Sequence, residues 1–430
     1  MAEAQIDMSK IEIDGVDLTG DLSQLSTERL FELRDFAMQE SLKHAGLQVS
    51  AKCCRNSIYG ATSNRFYHFF NMAVAESITA EGRNFIHFGE RVANDYLNNK
   101  WWCDYELHEK LRNDPKLKDN FDLSVSPKHE PYEDKVLYID TDSLYIHFEP
   151  TVKSIGYIGK NWYDLILAIF KYRMEELFNG AYAAYLAKRH GNSILLFDLE
   201  TISDTALFAQ KKKYLKAQIY VDGRVFEDPT EHIQGKGIEL IQTGSSMLVR
   251  QMLDYAFKKM FRGELTSATY PKLIQKLWKR FEAEQDLEKL CAYVNANKYH
   301  DYVLSYDGEW QLAKGVLPQY RACAYHNALV KAHGLETRYP LIEGGRVFYY
   351  FVDRAKSDLS NIPIGSRQYC DAFGFAPGEM PTPKYMPDVP PMNKRLMFEK
   401  LVLGPIQRLV AYTGINVSDP LETQRVPSLL

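Results

Sequence analysis

The sequence predicts an α+β fold, on three observations. Apolar residues recur at helical spacing through 25–46, 73–97 and 162–191. Short runs rich in Val, Ile, Leu and Tyr flank polar tips at 136–146 and 194–225, as strands joined by tight turns do. From about Ser245 onward helical spacing dominates again.

In chain order, residues 1–23 form an acidic lead-in with weak strand character in IEIDGVDL. LSTERLFELRDFAMQESLKHAG then reads as an amphipathic helix that Ser26 or Thr27 caps and Gly46 ends. A second helix runs from about Val49 into NSIYG, and a third, long helical segment spans 66–98. The charged stretch 112–135, with Pro115, Pro127 and Pro131, reads as an exposed connection. VLYIDTDSLYI (136–146) has the pattern of a tight hairpin, and WYDLILAIFKYRMEELFNGAYAAYLAKRHG is helical. ILLFDLETIS and KKKYLKAQIYVDGRVFED read as strands, the latter turning at Val221-Asp222-Gly223. The proline-rich GFAPGEMPTPKYMPDVPPM reads as irregular.

At 430 residues the chain is long enough for about two or three domains with sizeable cores. Hydrophobic residues at 45% and charged ones at 25% fit a soluble, globular chain. No apolar run approaches the roughly 18 residues of a membrane span, and the acidic start MAEAQIDMSK is no signal peptide. The six cysteines show no CxxC spacing, so we expect a reducing, intracellular setting without zinc site or disulfide framework. The net charge of −4 does not exclude a nucleic-acid partner. The first 50 residues carry ten acids and four bases, a net of −6, so the remainder is at +2 and has room for a basic groove.

The hairpin carries the first chemical signal. Asp140 and Asp142 are two apart, which on a regular strand puts both on one face. Neighbouring carboxylates repel, and a divalent cation relieves the repulsion. Hard oxygen ligands suit Mg²⁺, which commonly takes one or two carboxylates plus substrate phosphates. An ordinary Asx-rich turn reads the same residues. KCCRNSIYG (52–60) carries the second signal. Lys52, Asn56 and Tyr59 follow one another by four and three residues and share a helix face. The lysine can donate to a phosphate, the asparagine amide can read a sugar or base edge, and the tyrosine ring can stack. An ordinary half-buried helix is the reading these residues favour when taken alone.

Together KCCRNSIYG and YIDTDS resemble the fingers-helix motif KxxxNSxYG and the second palm carboxylate motif YxDTDS of family-B DNA polymerases, in the family's order. The resemblance is closest to the enzymes of large tailed bacteriophages. LSTERLFELRDFAMQESLKHAG is similar to the segment leading into the fingers helix, and FDLETIS to a palm strand. KKKYLKA resembles the family's KKRY segment, KGIEL its downstream partner, and LPQYRACAYHNALV and IEGGRVFYYFV the thumb. The resemblance runs from about residue 24 to about 415.

It implies a right-hand polymerase palm, an antiparallel sheet with the carboxylate hairpin and packed helices. It also implies partial helical fingers and a mostly helical thumb. The boundaries would be a lead-in or assembly segment 1–23, fingers 24–65, palm 66–245, and thumb and tail 246–430. Asp142 would be a metal-binding carboxylate of a site for two Mg²⁺ ions, and Asp140 would support the primer end and the metal. Lys52 and Asn56 would contact the incoming deoxynucleotide, with Tyr59 under the nascent base pair. Lys211, Lys212, Lys213 and Tyr214 would meet primer-template DNA, by phosphate neutralisation or by minor-groove acceptors common to all base pairs. The third lysine stands where the family commonly has arginine, which keeps the charge and loses bidentate contacts. Without the resemblance, the three lysines read as a solvated basic turn. Asp198 and Glu200, two apart on an expected strand, offer a secondary carboxylate pair or a solvated edge.

Parts of the family's pattern have no match here. No segment fits DxxSLYP, which carries a further palm aspartate, and neither the exonuclease carboxylates nor the first fingers helix is found. The expectation is a carboxy-terminal subunit of a split polymerase, completed by a second polypeptide. The alternative is a non-catalytic DNA-binding scaffold. The ending ETQRVPSLL resembles the clamp-docking tail of phage polymerases, and a frayed terminus reads the same residues. Phage kinship implies the cytoplasm of the infected bacterial host and no membrane.

Overall fold

The computed structural model describes residues 12–13, 16–17, 25–189, 196–238, 244–306, 309–312, 315–357, 370–386 and 388–421. Most of the acidic lead-in, the end of KGIEL (Glu239 and Leu240) and the whole of the tail ETQRVPSLL lie outside them. The fold is α+β, with its sheets antiparallel. The chain forms two compact units, residues 1–100 with 130–147, and residues 101–129 with 148–430.

The first unit begins with a short hairpin, β1 (Glu12–Ile13) and β2 (Val16–Asp17). Helix α1 (Thr27–Ser63) starts at the N-cap Ser26, whose hydroxyl accepts from Arg29 N at 3.2 Å. The sequence led us to expect two helices separated at Gly46; α1 is continuous through it. A helix-ending glycine takes a left-handed conformation, and Gly46 does not. A mid-helix glycine costs only about 1 kcal/mol, too little to break a helix with good formers on both sides. The next helix is shorter than the expected 66–98. Residues 64–71 are turns, and Asn71 caps α2 (Met72–Asp95) by accepting from Val74 N at 3.2 Å. A π-helical turn, Tyr96–Lys100, ends it. Ala75, Ile86, Gly89 and Ala93 line the buried face of α2, which packs on the hairpin of β3 (Val136–Asp140) and β4 (Ser143–Ile146).

The second unit opens with α3 (Tyr105–Asn113). The stretch beyond it is more than the exposed connection its charge implied. Leu117 and Phe121 are buried, because their apolar side chains tuck under the charged surface, and Phe121 bridges to Tyr157. Then follow α4 (Glu149–Ser154), α5 (Trp162–Ile169), a π-helical turn and α6 (Glu175–Ala187). The main sheet has β5 (Thr201–Gln210) against β6 (Lys213–Val221), which also pairs with β7 (Arg224–Val225) and β8 (Ile233–Lys236). Ile166 of α5 packs with Ile202 and Ile219 beneath it. Asp222 and Gly223 both have positive φ (45° and 85°), the type I′ geometry that matches the twist of a hairpin. Of ILLFDLETIS, Ile194 and Leu195 lie outside the described residues, and within the rest the strand begins at Thr201.

Beyond residue 245 the chain is less helical than expected. Helices α7 (Met247–Phe261), α8 (Tyr270–Ala283), α9 (Tyr299–Tyr302), α10 (Pro318–Ala332), α11 (Lys394–Phe398) and α12 (Gly404–Val410) surround a three-stranded sheet. Its strands are β9 (Ala292–Asn295), β12 (Arg346–Phe351) and β13 (Ala372–Phe375), with β12 central. A further hairpin joins β10 (Val303–Tyr306) to β11 (Glu309–Leu312). The aromatic, β-branched RVFYYF favours strand over helix, with Val347 and Tyr350 buried and α10 packed on the sheet. One core runs from Leu215 through Phe257, Phe281, Phe373 and Phe398 to Leu421.

The tip of β5 and β6 explains the pairing of KKKYLKA with KGIEL. Lys211 and Lys212 form the turn, Lys212 at φ 61°, and β8 pairs Lys236 with Tyr214. Gly237 follows at φ +66°, and a Cβ there would collide with the Lys212 carbonyl. Only glycine meets both conditions. Gly237→Ala is therefore expected to cost about 1–3 kcal/mol. Urea unfolding would check this, and an unchanged midpoint would refute the close approach.

Candidate active site

The carboxylate hairpin is built to aim its tip. Asp140 pairs with Ser143 and Tyr138 with Tyr145, their rings 5.8 Å apart. A bulge lies between Val136 and Tyr138, with Leu137 turned to solvent. The connection is two residues, Thr141 and Asp142. Asp142 N donates to Asp140 O at 2.8 Å across Thr141, which has φ 63°. A β-branched residue at positive φ is strained by roughly 1–2 kcal/mol. Its hydroxyl donates to Asp140 Oδ1 at 3.3 Å.

This geometry corrects one expectation. Asp140 ends β3 while Asp142 sits in the turn, so the strand rule that put both on one face does not hold across them. Asp140 is 6% exposed; Asp142 is open to solvent. Both offer hard carboxylate oxygens of the kind Mg²⁺ takes, so the donor chemistry fits that ion. Among the described residues no group of three or more His, Cys, Asp or Glu side chains gathers to hold a metal. The remaining ligands of an ion at this tip have to be water, phosphate or another group.

Two residues that the sequence reading passed over set the base of the hairpin. Asn94 accepts from Lys135 N at 2.8 Å and donates from Nδ2 to Asp134 Oδ1 at 2.8 Å. Asn98 accepts from Glu133 N and donates to Glu133 O, both at 3.0 Å. Asp134 Oδ1 in turn accepts from Val136 N at 3.2 Å. Both asparagines are buried, at 6% and 7% exposure. The available signal was two amides, four residues apart, beside the apolar stripe Ile86, Gly89, Ala93 and Leu97.

Lys52, Asn56 and Tyr59 lie together on α1 as expected, with Lys52 and Asn56 exposed and Tyr59 39% exposed. In the second unit, Lys211, Lys212 and Lys213 stand exposed at their tip. Tyr214 differs. It is 6% exposed and packs near Phe208, ring centres 5.6 Å apart, so it braces the tip from within. Asp198 and Glu200 are exposed and precede β5 instead of lying on it. Asp198 Oδ1 accepts from Leu199 N at 2.6 Å. Glu200 acts on Lys216, another residue the sequence reading passed over. Burial pushes the Lys216 ammonium below its ordinary pKa, and the Glu200 carboxylate partly restores it. Its Nζ donates to Thr201 Oγ1 at 3.2 Å.

Two outcomes are expected. Asn94→Ala and Asn98→Ala each leave part-buried backbone groups without these partners and should lower stability by about 1–3 kcal/mol, with faster amide exchange at Glu133 and Lys135. Asn94→Asp should do no better, because it sets a second carboxylate against Asp134. Separately, Thr141→Gly should melt above Thr141→Val, since both lose the hydroxyl bond and only valine keeps the strain.

The model of the family described as DNA polymerase family B matches residues 34–314. A DNA-directed DNA polymerase of Escherichia phage RB69 is 22% identical over 254 residues, covering 56% of this chain and 25% of that protein. One of Enterobacteria phage T4 is 24% identical over 273 residues, 59% of this chain and 26% of that protein. The matched region spans about a quarter of the length of these relatives. With the family model matching well over half of its length and both signature motifs inside the match, the chain belongs to DNA polymerase family B.

Proposed function

We propose that this chain is the carboxy-terminal subunit of a split DNA-directed DNA polymerase. It transfers deoxynucleotides to a primer 3′-hydroxyl under direction of a template. A separate polypeptide carrying the first palm aspartate and the exonuclease completes it. The observation that carries the reading is the Asp140-Thr141-Asp142 tip inside a family-B match, on the same compact unit as Lys52, Asn56 and Tyr59. Residues 24–65 serve as partial fingers, 66–245 as palm and 246–430 as thumb and tail.

Asp140 and Asp142 would hold Mg²⁺, two ions in the completed site. The metal neutralises triphosphate charge and activates the attacking hydroxyl when bound. Asp142, open to solvent, meets the triphosphate side. Asp140, buried and hydrogen-bonded to Thr141, fixes the direction of the tip. Lys52 donates to the triphosphate as a point charge, Asn56 contacts the nucleotide beside it, and Tyr59 lies under the nascent pair. Lys211, Lys212 and Lys213 neutralise primer-template phosphates, and Tyr214 holds their turn in place.

A second feature supports a completing polypeptide. Phe31, Met38, Leu42 and Val49 lie along one stripe of α1 at spacings of seven and four, and each is more than half exposed. The same stripe continues into Lys52, Asn56 and Tyr59. Heptad-like apolar spacing on an uncovered helix fits a second helix docking along it. The tail ETQRVPSLL serves as a clamp-docking peptide, and the setting is the cytoplasm of an infected bacterium.

The test is primer extension by the purified chain, alone and with the completing polypeptide. Negligible extension is expected alone, and robust extension would overturn the split. In the reconstituted pair, Asp142→Ala should lower extension at least about a hundredfold while leaving assembly intact. An unchanged rate would favour a scaffold without catalysis.

A further inference from the structure

The segment from Trp101 to His129 belongs to the second unit, although the stretches on either side of it, 1–100 and 130–147, belong to the first. None of its side chains enters the site proposed above. Helix α3 lies within it and is fixed at both ends by one π-helical turn, Phe170–Met174. Arg173 Nη2 donates to Asp104 Oδ1 at 2.9 Å at the start of α3, and Tyr172 OH donates to Asp114 Oδ2 at 2.7 Å at its end. Between α3 and the loop around residues 125–127 lies a cavity of about 300 Å³. That is the lower end of the size range of small-molecule sites. Trp102, Tyr105 and Pro127 supply flat apolar walls, and His108, Glu109 and Arg112 supply polar groups. His129 stands edge-on to the Trp102 ring, centres 5.6 Å apart, and steadies it.

The charges at this cavity select the occupant. From Asp104 to Asp114 every carboxylate but one is engaged. Asp104 pairs with Arg173, Glu106 with Lys110, and Asp114 accepts from Tyr172. The exception, Glu109, is exposed. Arg112 stands three residues on, within reach of it, and turns to the loop instead. Its Nη2 donates to Val125 O at 3.0 Å, and its Nε is buried without a partner. Among the described residues no carboxylate pairs with this half-buried guanidinium. His108, one turn earlier on the same face, is 4% exposed, and its Nε2 also has no partner. Burial pushes the His108 imidazole below its ordinary pKa, so the positive charge at this wall is that of Arg112. A cation drawn partly out of water without a counter-charge is costly, and an anionic group beside it offsets the cost. A neutral apolar ligand would use the rings and leave the guanidinium unmatched. A bare anion would use the guanidinium and leave the rings bare.

We propose that this cavity binds a small planar molecule carrying an anionic oxygen group, with its ring against Trp102 and Tyr105 and its anion on Arg112. Glu109 does not forbid this, because it is exposed and water screens its charge. A carboxylate and a phosphate share this chemistry, and the test separates them. The site goes beyond the polymerase reading and does not rest on it, since it is built wholly from residues 102–127.

The test uses the full chain and ligand-observed NMR titrations with two anions, each beside a neutral analogue: indole-3-acetate with indole-3-acetamide, and phenyl phosphate with phenol. At least one anion should bind about ten- to a hundredfold more tightly than its neutral analogue, and the tighter anion names the source. Arg112→Gln should abolish that difference, and Arg112→Lys, which keeps the charge and loses the fork, should restore part of it. Tyr105→Ala should weaken the anion about two- to tenfold. Tyr105 is 72% exposed, so its loss does not endanger the fold, and circular dichroism should show all variants folded. Binding of neither anion, or equal affinity for anion and neutral analogue, would overturn the proposal. So would an undiminished difference in Arg112→Gln, or an unchanged affinity in Tyr105→Ala.

Discussion

The clamp of Asn94 and Asn98 on residues 133–136 is the constraint on which the candidate site depends. A two-stranded hairpin of this size has too little side-chain packing to hold its own orientation. Here three side-chain–backbone bonds, from one helix end, replace a neighbouring strand at the base of β3. A further bond is internal to the helix end, from Asn98 Nδ2 to the backbone carbonyl of Asn94 at 2.9 Å, so the Asn98 amide is also anchored on its own helix. Buried amides are costly when any member is unpaired and rigid when all are paired. The register of β3, and with it the aim of Asp140, is therefore set at the far end of the strand from the carboxylates.

At the tip the two aspartates stand in different surroundings. Asp140 is buried and accepts from the Thr141 hydroxyl, while its carbonyl accepts from Asp142 N. Asp142 is exposed to solvent. The strain stored at Thr141 is the cost of turning the chain in two residues while keeping a hydroxyl over the buried carboxylate. Glycine would turn more easily and would supply no hydroxyl. The same compromise does not recur at Asp222-Gly223, where the turn carries no carboxylate pair and glycine occupies one of the two left-handed positions.

What was legible in the sequence depended on whether the signal was local. The hairpin at 136–146, the face of Lys52, Asn56 and Tyr59, and the Asp222-Gly223 turn each follow from residues close in the chain, and all three were readable. Gly46 misled because glycine is a stop only in a left-handed conformation, which sequence does not reveal. RVFYYF was hard to assign because short apolar runs fit buried helix and strand alike, and its partners Ala292–Asn295 and Ala372–Phe375 are far away in sequence. Asn94, Asn98 and Lys216 escaped for the same reason. Their meaning lies in the backbone and side chains they reach across the fold, and neither charge pattern nor periodicity records that.

Helix α1 joins these levels. Its apolar residues fall on two opposed stripes, Phe31-Met38-Leu42-Val49 on one side and Leu33-Phe36-Leu47-Ile58 on the other, and only Leu33 is buried. A surface helix with one covered face has one apolar stripe; a helix with two belongs in the middle of a layer. Helical stability in proteins comes chiefly from packing an apolar face, and α1 buries little of its own. The proposed nucleotide face continues the first of these stripes. Any helix laid along Phe31 to Val49 would therefore stiffen the turn that carries Lys52, Asn56 and Tyr59. Assembly and nucleotide binding would then be coupled through one rigid rod, with no need for the two surfaces to touch.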